Sequence, residues 1–341
     1  MLWTVAAPFM TAASTDLTWI CDFAPPSSHR FRKVASAATQ TDDWHVRAGR
    51  STPLSRWAMT WRHASAALKG TDGLVTVFPP LALTGAIHRD LFHRDVPIVA
   101  WCFNVGSFPT GLKRKAARVA LRRIDRIVVH SSAEVDLVRE FLDLDEGVVQ
   151  FKYLQRAPIP QLASEEHASP FIVAMGSANR DYATLFEAAR RVRLPLVVVA
   201  AKRVLEGLDV PPSVTVLNGL SPEECWRLAQ RARISVVPIA DVAAASGQVT
   251  VIEAMRMARP VIATRSIGTT DYIEEGRNGH LVEPNDPADL AAKLQRLWDD
   301  AEEREIIARG AEEFAERALS DAAAGRALIS VLDEVRLLRA V

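Results

Sequence analysis

The sequence predicts an α/β protein of two Rossmann-like, doubly wound domains facing across a cleft, and three observations carry that expectation. Short, continuously apolar runs alternate with helix-length amphipathic segments, the pattern of parallel strands covered by helices on both faces. The alternation stops at APIPQLASEEHASP, residues 157–170, and then restarts; its prolines and polar residues read as a linker. The length of 341 residues matches about two domains.

In the first half the expected strands are Leu2–Ala7, Leu17–Cys21, Gly73–Phe78, Ile98–Phe103, Arg126–His130 and Val148–Tyr153. Helices are expected over Leu54–Leu68, Pro80–Phe92, Gly111–Ile124 and Ala133–Phe141. After the linker the expected strands are Phe171–Met175, Leu196–Ala200, Val214–Leu217, Ile234–Pro238, Val261–Thr264 and Gly279–Val282. Helices fill Asp181–Val192, Pro222–Ala232, Val249–Met257 and Pro287–Trp298, with a short one at Asp271–Glu275 and a continuous helix from Glu302. This gives an N-terminal domain over 1–160, a C-terminal domain over 165–318, and a final helical segment over 319–341 packing back toward the first domain. Ligands of such sheets bind at the carboxyl ends of the strands, here in the expected cleft.

The chain carries 41 basic and 41 acidic residues, so it has no global nucleic-acid signature. The halves differ: residues 1–160 hold 20 Lys and Arg against 14 Asp and Glu, and residues 161–341 hold 21 against 27. A basic front half suits an anionic partner, and chance gives the same imbalance. Cys21, Cys102 and Cys225 are odd in number and far apart, which argues against a disulfide framework or zinc site and fits a reducing cytosol. The apolar start MLWTVAAPFMTAAS lacks the basic residues of a signal peptide and reads as a buried strand. No apolar run approaches the ~18–20 residues that span a bilayer.

The most informative segment is SGQVTVIEAMRMARPVIAT, from Ser246 to Thr264. Ser246 and Gly247 precede a helix; Ser is a good N-cap and Gly leaves the backbone open to close approach. A helix N-terminus with free N–H groups suits a diphosphate. Glu253, about two turns on, can accept hydrogen bonds from a ribose diol. A capped helix with Glu253 on a solvated face explains the same residues equally well.

This stretch resembles the signature of family 4 glycosyltransferases, which are retaining enzymes of the two-domain GT-B architecture. The matching positions are Glu253-Ala254-Met255, Pro260-Val261-Ile262-Ala263-Thr264, Gly268, Gly276, Asn278-Gly279, Leu281-Val282, Pro284 and Asp286, in order and spacing. The resemblance covers most of Val96–Trp298; before that it holds only in strand order. It implies that Glu253 binds ribose. Gly176–Leu185 (GSANRDYATL) is similar to the family's diphosphate loop, with Arg180 at the Lys position and Ser177 where the family has Arg. A solvated loop charge is the other reading of Arg180. Lys202 follows the next strand; a fixed cation beside a diphosphate stabilises the departing nucleotide. Leu217-Asn218-Gly219-Leu220 resembles the turn along the nucleobase, and reads equally as a plain turn. Asn104, closing VPIVAWCFN, stands where the family has a His near the transferred sugar; Asn hydrogen-bonds a hydroxyl but does not titrate near neutral pH.

Two departures qualify the resemblance. The family's leading Glu, eight residues before Glu253, is Ala245 here, which shifts the expected sugar contact to Gln248. The glycine-rich loop after the first strand is replaced by Pro8–Thr15 (PFMTAAST).

A second constellation is GLKRKAARVALRRIDR, residues 111–126. Leu112, Ala116, Val119, Ala120 and Ile124 recur at helical spacing and are expected to form one apolar stripe. Lys113, Arg114, Lys115, Arg118 and Arg122 make the rest basic, which suits an anionic membrane surface or a pyrophosphate-linked acceptor, and equally a solvated face. Trp57 and Trp61, beside Arg56 and Arg62, are expected to be core residues. His88 and His93 lack a third metal ligand, and Asp42-Asp43 lies in a polar loop.

The resemblance thus implies a metal-independent hexosyltransferase. It takes a nucleotide-sugar, with UDP as one candidate carrier, and a glycan or lipid-linked acceptor, as in cell-surface polysaccharide or glycolipid synthesis. The expected location is cytoplasmic, peripheral on the plasma membrane. Arg180, Lys202 and Asn104 are the candidate catalytic residues; Gly176, Asn218, Gly219, Ser246, Gly247, Gln248, Val249, Thr250 and Glu253 are the candidate donor-binding residues. A nucleotide-sugar epimerase or hydrolase of the same shape and a non-catalytic partner subunit are the alternatives.

Overall fold

The computed structural model describes residues 1–7, 29–35, 53–93, 95–104 and 110–340. The expected strand Leu17–Cys21, Cys21 itself, Pro8–Thr15 and Asp42-Asp43 lie outside the described residues. The chain divides into two compact units, one of Met1–Leu154 with Asp321–Val341 and one of Gln155–Ser320.

The first unit contains β1 (Leu2–Ala7), β2 (Arg30–Ala35), α1 (Pro53–Ala67), β3 (Gly73–Val77), α2 (Pro79–Phe92), β4 (Ile98–Trp101), α3 (Gly111–Leu121), β5 (Arg126–Val129), α4 (Ala133–Leu142) and β6 (Val149–Phe151). Its sheet has the order β2-β1-β3-β4-β5-β6, with every pairing parallel. Alternate residues of the apolar runs enter different cores. Leu74, Ile98 and Ile127 pack with Ala82, Ala86 and Leu121 on one face. Their neighbours Val75, Val99 and Val128 pack on the other, against Leu328, Val331, Leu332 and Val335 of the C-terminal helix Asp321–Leu338. That period of two, apolar on both phases, is why the strands read as unbroken hydrophobic runs. Polar ties fix the C-terminal helix to this unit. Trp3 Nε1 donates to His29 Nδ1 at 3.1 Å, and His29 Nε2 meets Asp333 at 2.9 Å. Arg339 donates to Asp125 at 2.7 Å.

The second unit contains β7 (Ile172–Met175), α5 (Tyr182–Val192), β8 (Leu196–Val199), β9 (Val214–Leu217), α6 (Pro222–Arg231), β10 (Ile234–Val237), α7 (Gln248–Arg256), β11 (Val261–Thr264), β12 (His280–Val282), α8 (Pro287–Asp299) and α9 (Ala301–Ala318). Its parallel sheet has the order β12-β11-β10-β7-β8-β9. The first three strands build outward in one direction and the last three in the other. Direction reverses between β7 and β10, the switch point where such sheets bind ligands beyond their carboxyl ends. Both units are thus doubly wound parallel α/β sheets.

Four local expectations are corrected. Asp271–Glu275 forms turns, not a helix: Thr269 donates to Thr264 O, and Asn278 bonds Glu274 N and Tyr272 O. Side chains that satisfy the backbone locally compete with helix formation. The helix expected from Glu302 onward breaks after Ala318; Ser320 and Asp321 are residue types that favour a helix start. The apolar stripe of α3 is not one face. Ala120, Leu121 and Ile124 are buried, but Leu112 is 84% and Val119 64% exposed. The rotation is set by Arg114 and Arg118, which donate to the terminal carbonyls of α4 at Glu140 and Phe141. Finally, Trp57 is 45% exposed, not a core residue. The strand β2 has no counterpart among the sequence expectations, because RFRKVA lacks an apolar run.

Candidate functional site

The loops at the switch point of the second unit are built from β7 and β10 outward. After β7, Gly176 adopts φ +119°, and a Cβ there would meet the Arg180 guanidinium at 2.9 Å. Arg180 lies across this glycine and uses three donors on the protein. Nε bonds Met175 O at 3.1 Å, Nη1 bonds Ala178 O at 2.9 Å, and Nη2 bonds Thr250 Oγ1 at 3.0 Å. Burial lowers its pKa. Ser177 Oγ accepts from Ala201 N at 2.8 Å, tying this loop to the one after β8. Asn179 ties it to the loop after β10: its amide bonds Asp241 O at 2.9 Å and Ser246 Oγ at 2.6 Å, while its oxygen accepts from Asp241 N at 2.7 Å. The loops of three strands are therefore latched to one another by side chains.

The N-terminus of α7 follows from this frame. Gly247, not Ser246, is the N-cap; its φ is +89° and no side chain caps the helix. A Cβ on Gly247 would meet Ile239 Cδ1 at 2.8 Å, and at φ +89° any side chain is strained, so the position favours a bare backbone. A helix start without a side-chain cap presents N–H groups and the positive end of the dipole to an anion.

Beside these loops lies a cavity of about 410 Å³, lined in part by Gly176, Ser177, Ala201, Gly219, Thr250 and Glu253. Its remaining wall includes Leu220, Cys225 and Trp226. Glu253 is a helix-borne carboxylate facing this space. Its Oε1 accepts from Arg156 Nε at 3.0 Å, Arg156 Nη2 at 2.6 Å and Trp226 Nε1 at 3.2 Å. The arrangement offers a backbone anion site, a carboxylate for hydroxyls, and small residues that let a flat group approach.

Residues 169–300 match the family model of glycosyl transferases group 1. Within curated proteins, a D-inositol 3-phosphate glycosyltransferase of Corynebacterium kroppenstedtii is 32% identical over 127 residues, 37% of this chain and 27% of that protein. The sulfoquinovosyl transferase SQD2 of Arabidopsis thaliana is 43% identical over 70 residues, 20% of this chain and 14% of that protein. The matched stretches therefore span only about a quarter or less of those relatives' lengths. Among solved structures, the sucrose-phosphate synthase of Thermosynechococcus elongatus aligns with a TM-score of 0.74 at 13% identity, over 99% of both chains. The Anabaena protein HepE in complex with UDP-glucose aligns with a TM-score of 0.68 at 15% identity, over 98% of this chain and 99% of that one. Over residues 169–300 the second unit is similar to the group 1 glycosyl transferases. The fold of the whole chain is GT-B.

In this unit the sequence-derived candidates do not all reach the cavity. Gly176, Gly219, Thr250 and Glu253 line the cavity. Ser246, Gly247 and Arg180 are absent from its wall among the described residues and instead tie or crowd the neighbouring loops through Asn179, Ile239 and Thr250. Gln248 is buried and Val249 is 45% exposed, and both are absent from the cavity wall among the described residues. Asn218 is exposed beside Gly219. Lys202 opens a short 3-10 turn, Lys202–Val204, directly after the wall residue Ala201, and is exposed there. Ala245 is buried at 8% exposure, so no carboxylate stands at that point of the loop. Asn179, Arg156, Trp226 and Cys225 were not foreseen as site residues. Asn179 lies within the diphosphate-loop resemblance, which is a usable signal; Arg156 lies just before the expected linker, where no motif flags it.

Asn104 belongs to the first unit, exposed just past β4. Near it in sequence, Cys102 carries φ +55°, and its sulfur lies 3.1 Å from His130 Nε2. His130 Nδ1 lies 2.7 Å from Lys152 O. A carbonyl only accepts, so Nδ1 holds the proton and Nε2 accepts from the thiol. Burial pushes His130 down to about 4, against the opposing carbonyl bond, and pushes Cys102 up to about 12. Both are neutral at pH 7, a packed hydrogen bond instead of a reactive dyad.

Proposed function

We propose that the chain transfers a hexose-type sugar from a nucleoside diphosphate sugar to a glycan or lipid-linked acceptor, with retention of the anomeric configuration and without a metal ion. The observation that carries this reading is the cavity at the switch point, lined by Glu253 and by Thr250 of the first turn of α7, a helix whose start has no side-chain cap. The ribose hydroxyls donate to Glu253. The diphosphate lies at the start of α7, where backbone N–H groups and the dipole favour negative charge. The base lies along Gly219 and Leu220. UDP is the carrier proposed first, because the similar Anabaena structure holds UDP-glucose. As the sugar–phosphate bond breaks, charge gathers on the leaving diphosphate. Lys202 and the helix N-terminus stabilise it, while Arg180 holds the loop and Thr250 in place. The acceptor hydroxyl attacks the anomeric carbon from the face the nucleotide leaves and gives its proton to the departing phosphate oxygen, so no strong base is required; Asn104 of the first unit is the proposed partner for a hydroxyl. The first unit holds the acceptor.

Release of UDP, GDP or ADP from a panel of nucleotide sugars, followed with and without glycan acceptors, tests this reading. Donor turnover is expected, and Glu253→Ala is expected to lower kcat/KM at least about tenfold, the loss of about 1.4 kcal/mol of transition-state stabilisation. Equal turnover by the variant contradicts the site. Ala245 favours a second reading, a non-catalytic subunit that keeps the nucleotide site; binding of nucleotide without any turnover supports it. Turnover that needs no acceptor and yields a free or epimerised sugar supports the hydrolase or epimerase alternative.

The membrane part of the proposal rests on α3. Lys113, Lys115 and Arg122 are exposed around Leu112 and Val119, a mixed basic and apolar surface suited to anionic lipid at ~1 kcal/mol per cation. No described helix is long and apolar enough to cross a membrane. The triple variant K113E/K115E/R122E is expected to lose sedimentation with phosphatidylglycerol vesicles; unchanged sedimentation contradicts this surface.

A further inference from the structure

Arg156 stands apart from the group 1 motif, in the segment that leads from the first unit into the second. Its backbone is anchored there: Arg156 N–H donates to Leu319 O at 3.0 Å. Its guanidinium reaches Glu253 and places two donors on the same oxygen, Nε at 3.0 Å and Nη2 at 2.6 Å. Trp226 Nε1 adds a third donor to that oxygen at 3.2 Å. Both members of the ion pair are largely buried, with side-chain exposures of 15% and 19%. Glu253 and Trp226 line the cavity, and Arg156 is absent from its wall among the described residues.

This geometry has a chemical consequence. A carboxylate offers about four lone-pair sites on two oxygens. Three donors fill Oε1, and no described residue donates to Oε2. A glutamate on a helix otherwise rotates freely about its last bond, whose preferences are broad. Gripping one oxygen from two sides removes that freedom and leaves the second oxygen as the acceptor for a ligand. Charge-assisted hydrogen bonds are the strong class, so the grip holds when the ligand arrives.

We propose that Arg156 is a positioning residue for the donor site, which fixes the Glu253 carboxylate so that Oε2 receives the ribose hydroxyls. The inference rests on the nucleotide reading of the cavity. Its specific consequence is discrimination between a ribonucleotide and one that lacks the hydroxyls. General destabilisation of the unit weakens both ligands together; misplacing one carboxylate weakens only the hydroxyl-bearing one.

The test is calorimetric titration of wild type, Arg156→Met and Arg156→Lys with UDP, GDP or ADP, whichever wild type binds most tightly, and with its 2′,3′-dideoxy analogue. Wild type is expected to prefer the ribonucleotide at least about tenfold, about 1.4 kcal/mol. Arg156→Met is expected to bring that ratio to within about threefold while leaving the dideoxy affinity nearly unchanged. Arg156→Lys, which keeps a charged donor but not the two-pronged grip, is expected to fall between. An unchanged ratio in both variants overturns the proposal with the nucleotide reading intact. Equal weakening of both ligands, or unfolding of both variants, overturns it in favour of a structural role. Tighter ribonucleotide binding by Arg156→Met overturns it too, because Arg156 then competes with the ligand for Glu253. A wild type that binds no nucleoside diphosphate overturns the reading and the inference together.

Discussion

The carboxyl ends of the two sheets are built differently. In the second unit the loops after β7, β8 and β10 are bound to one another by Ser177, Asn179 and Arg180, and the group 1 match covers them. In the first unit the described chain past β4 and β5 carries Asn104 and the neutral Cys102–His130 pair, and the group 1 match does not reach it. A diphosphate nucleotide has a fixed shape and fixed charges, so loops proposed to receive one are constrained in residue type as well as position. The other sheet is constrained by burial, which many apolar sequences satisfy.

The comparison is broken most severely at Gly247. A Cβ-branched residue there meets Ile239 and Val237 and must also hold φ +89°. Gly247→Val is expected to weaken nucleotide binding by about a hundredfold, from ~3 kcal/mol of strain and displacement; calorimetry reads it, and near-normal affinity contradicts the close fit. Next comes the latch. Asn179→Ala removes three hydrogen bonds, each worth about 1 kcal/mol. It is expected to lower the urea midpoint of the second unit by about 1–3 kcal/mol in stability, with exchange protection of β3–β5 amides unchanged.

A third prediction sets one carboxylate of each unit against the other. Glu134, at the start of α4, is buried, and burial raises it to about 7. Its contribution to stability is full below about 4.5 and is lost as pH rises through about 7. Glu275 is also penalised by burial, but Leu281 N–H, Lys293 and His280 outweigh that and bring it down to about 2. Its contribution is full above about 4.5 and is lost as pH falls toward about 2. Glu134→Gln is expected to stabilise the protein at pH 8, and Glu275→Gln to destabilise it at pH 7 with the difference vanishing near pH 2. Melting curves across pH check both signs. The smallest effect concerns thiols. Cys225 is raised by burial first and by Glu253 and Glu224 next, yet it lines the cavity. Peptide-resolved alkylation is expected to label Cys225 slowly, with protection by UDP, and Cys102 scarcely at all.

Much of this molecule was legible in the sequence. Unbroken apolar runs marked most strands because both sheet faces are covered, and Glu253 was marked by its place in a spaced motif. The signal ran out where side chains do backbone work. Thr269 and Asn278 turned an expected helix into turns. Arg114 and Arg118 set the rotation of α3 by bonding a neighbouring helix end, which periodicity cannot register. The place of Arg180 in its loop suggests a diphosphate cation, but its bonds to Met175 O, Ala178 O and Thr250 Oγ1 have no sequence signal. Arg156 meets Glu253 from 97 positions away, a distance no local pattern spans.

The central claim is that the cavity beside α7 is a nucleotide site with Glu253 as its ribose carboxylate. Calorimetric titration of UDP, GDP and ADP into wild type and Glu253→Ala tests it most directly. One site per chain in wild type, weakened at least about tenfold in the variant, is the expected result. Equal affinity in the two proteins contradicts the claim.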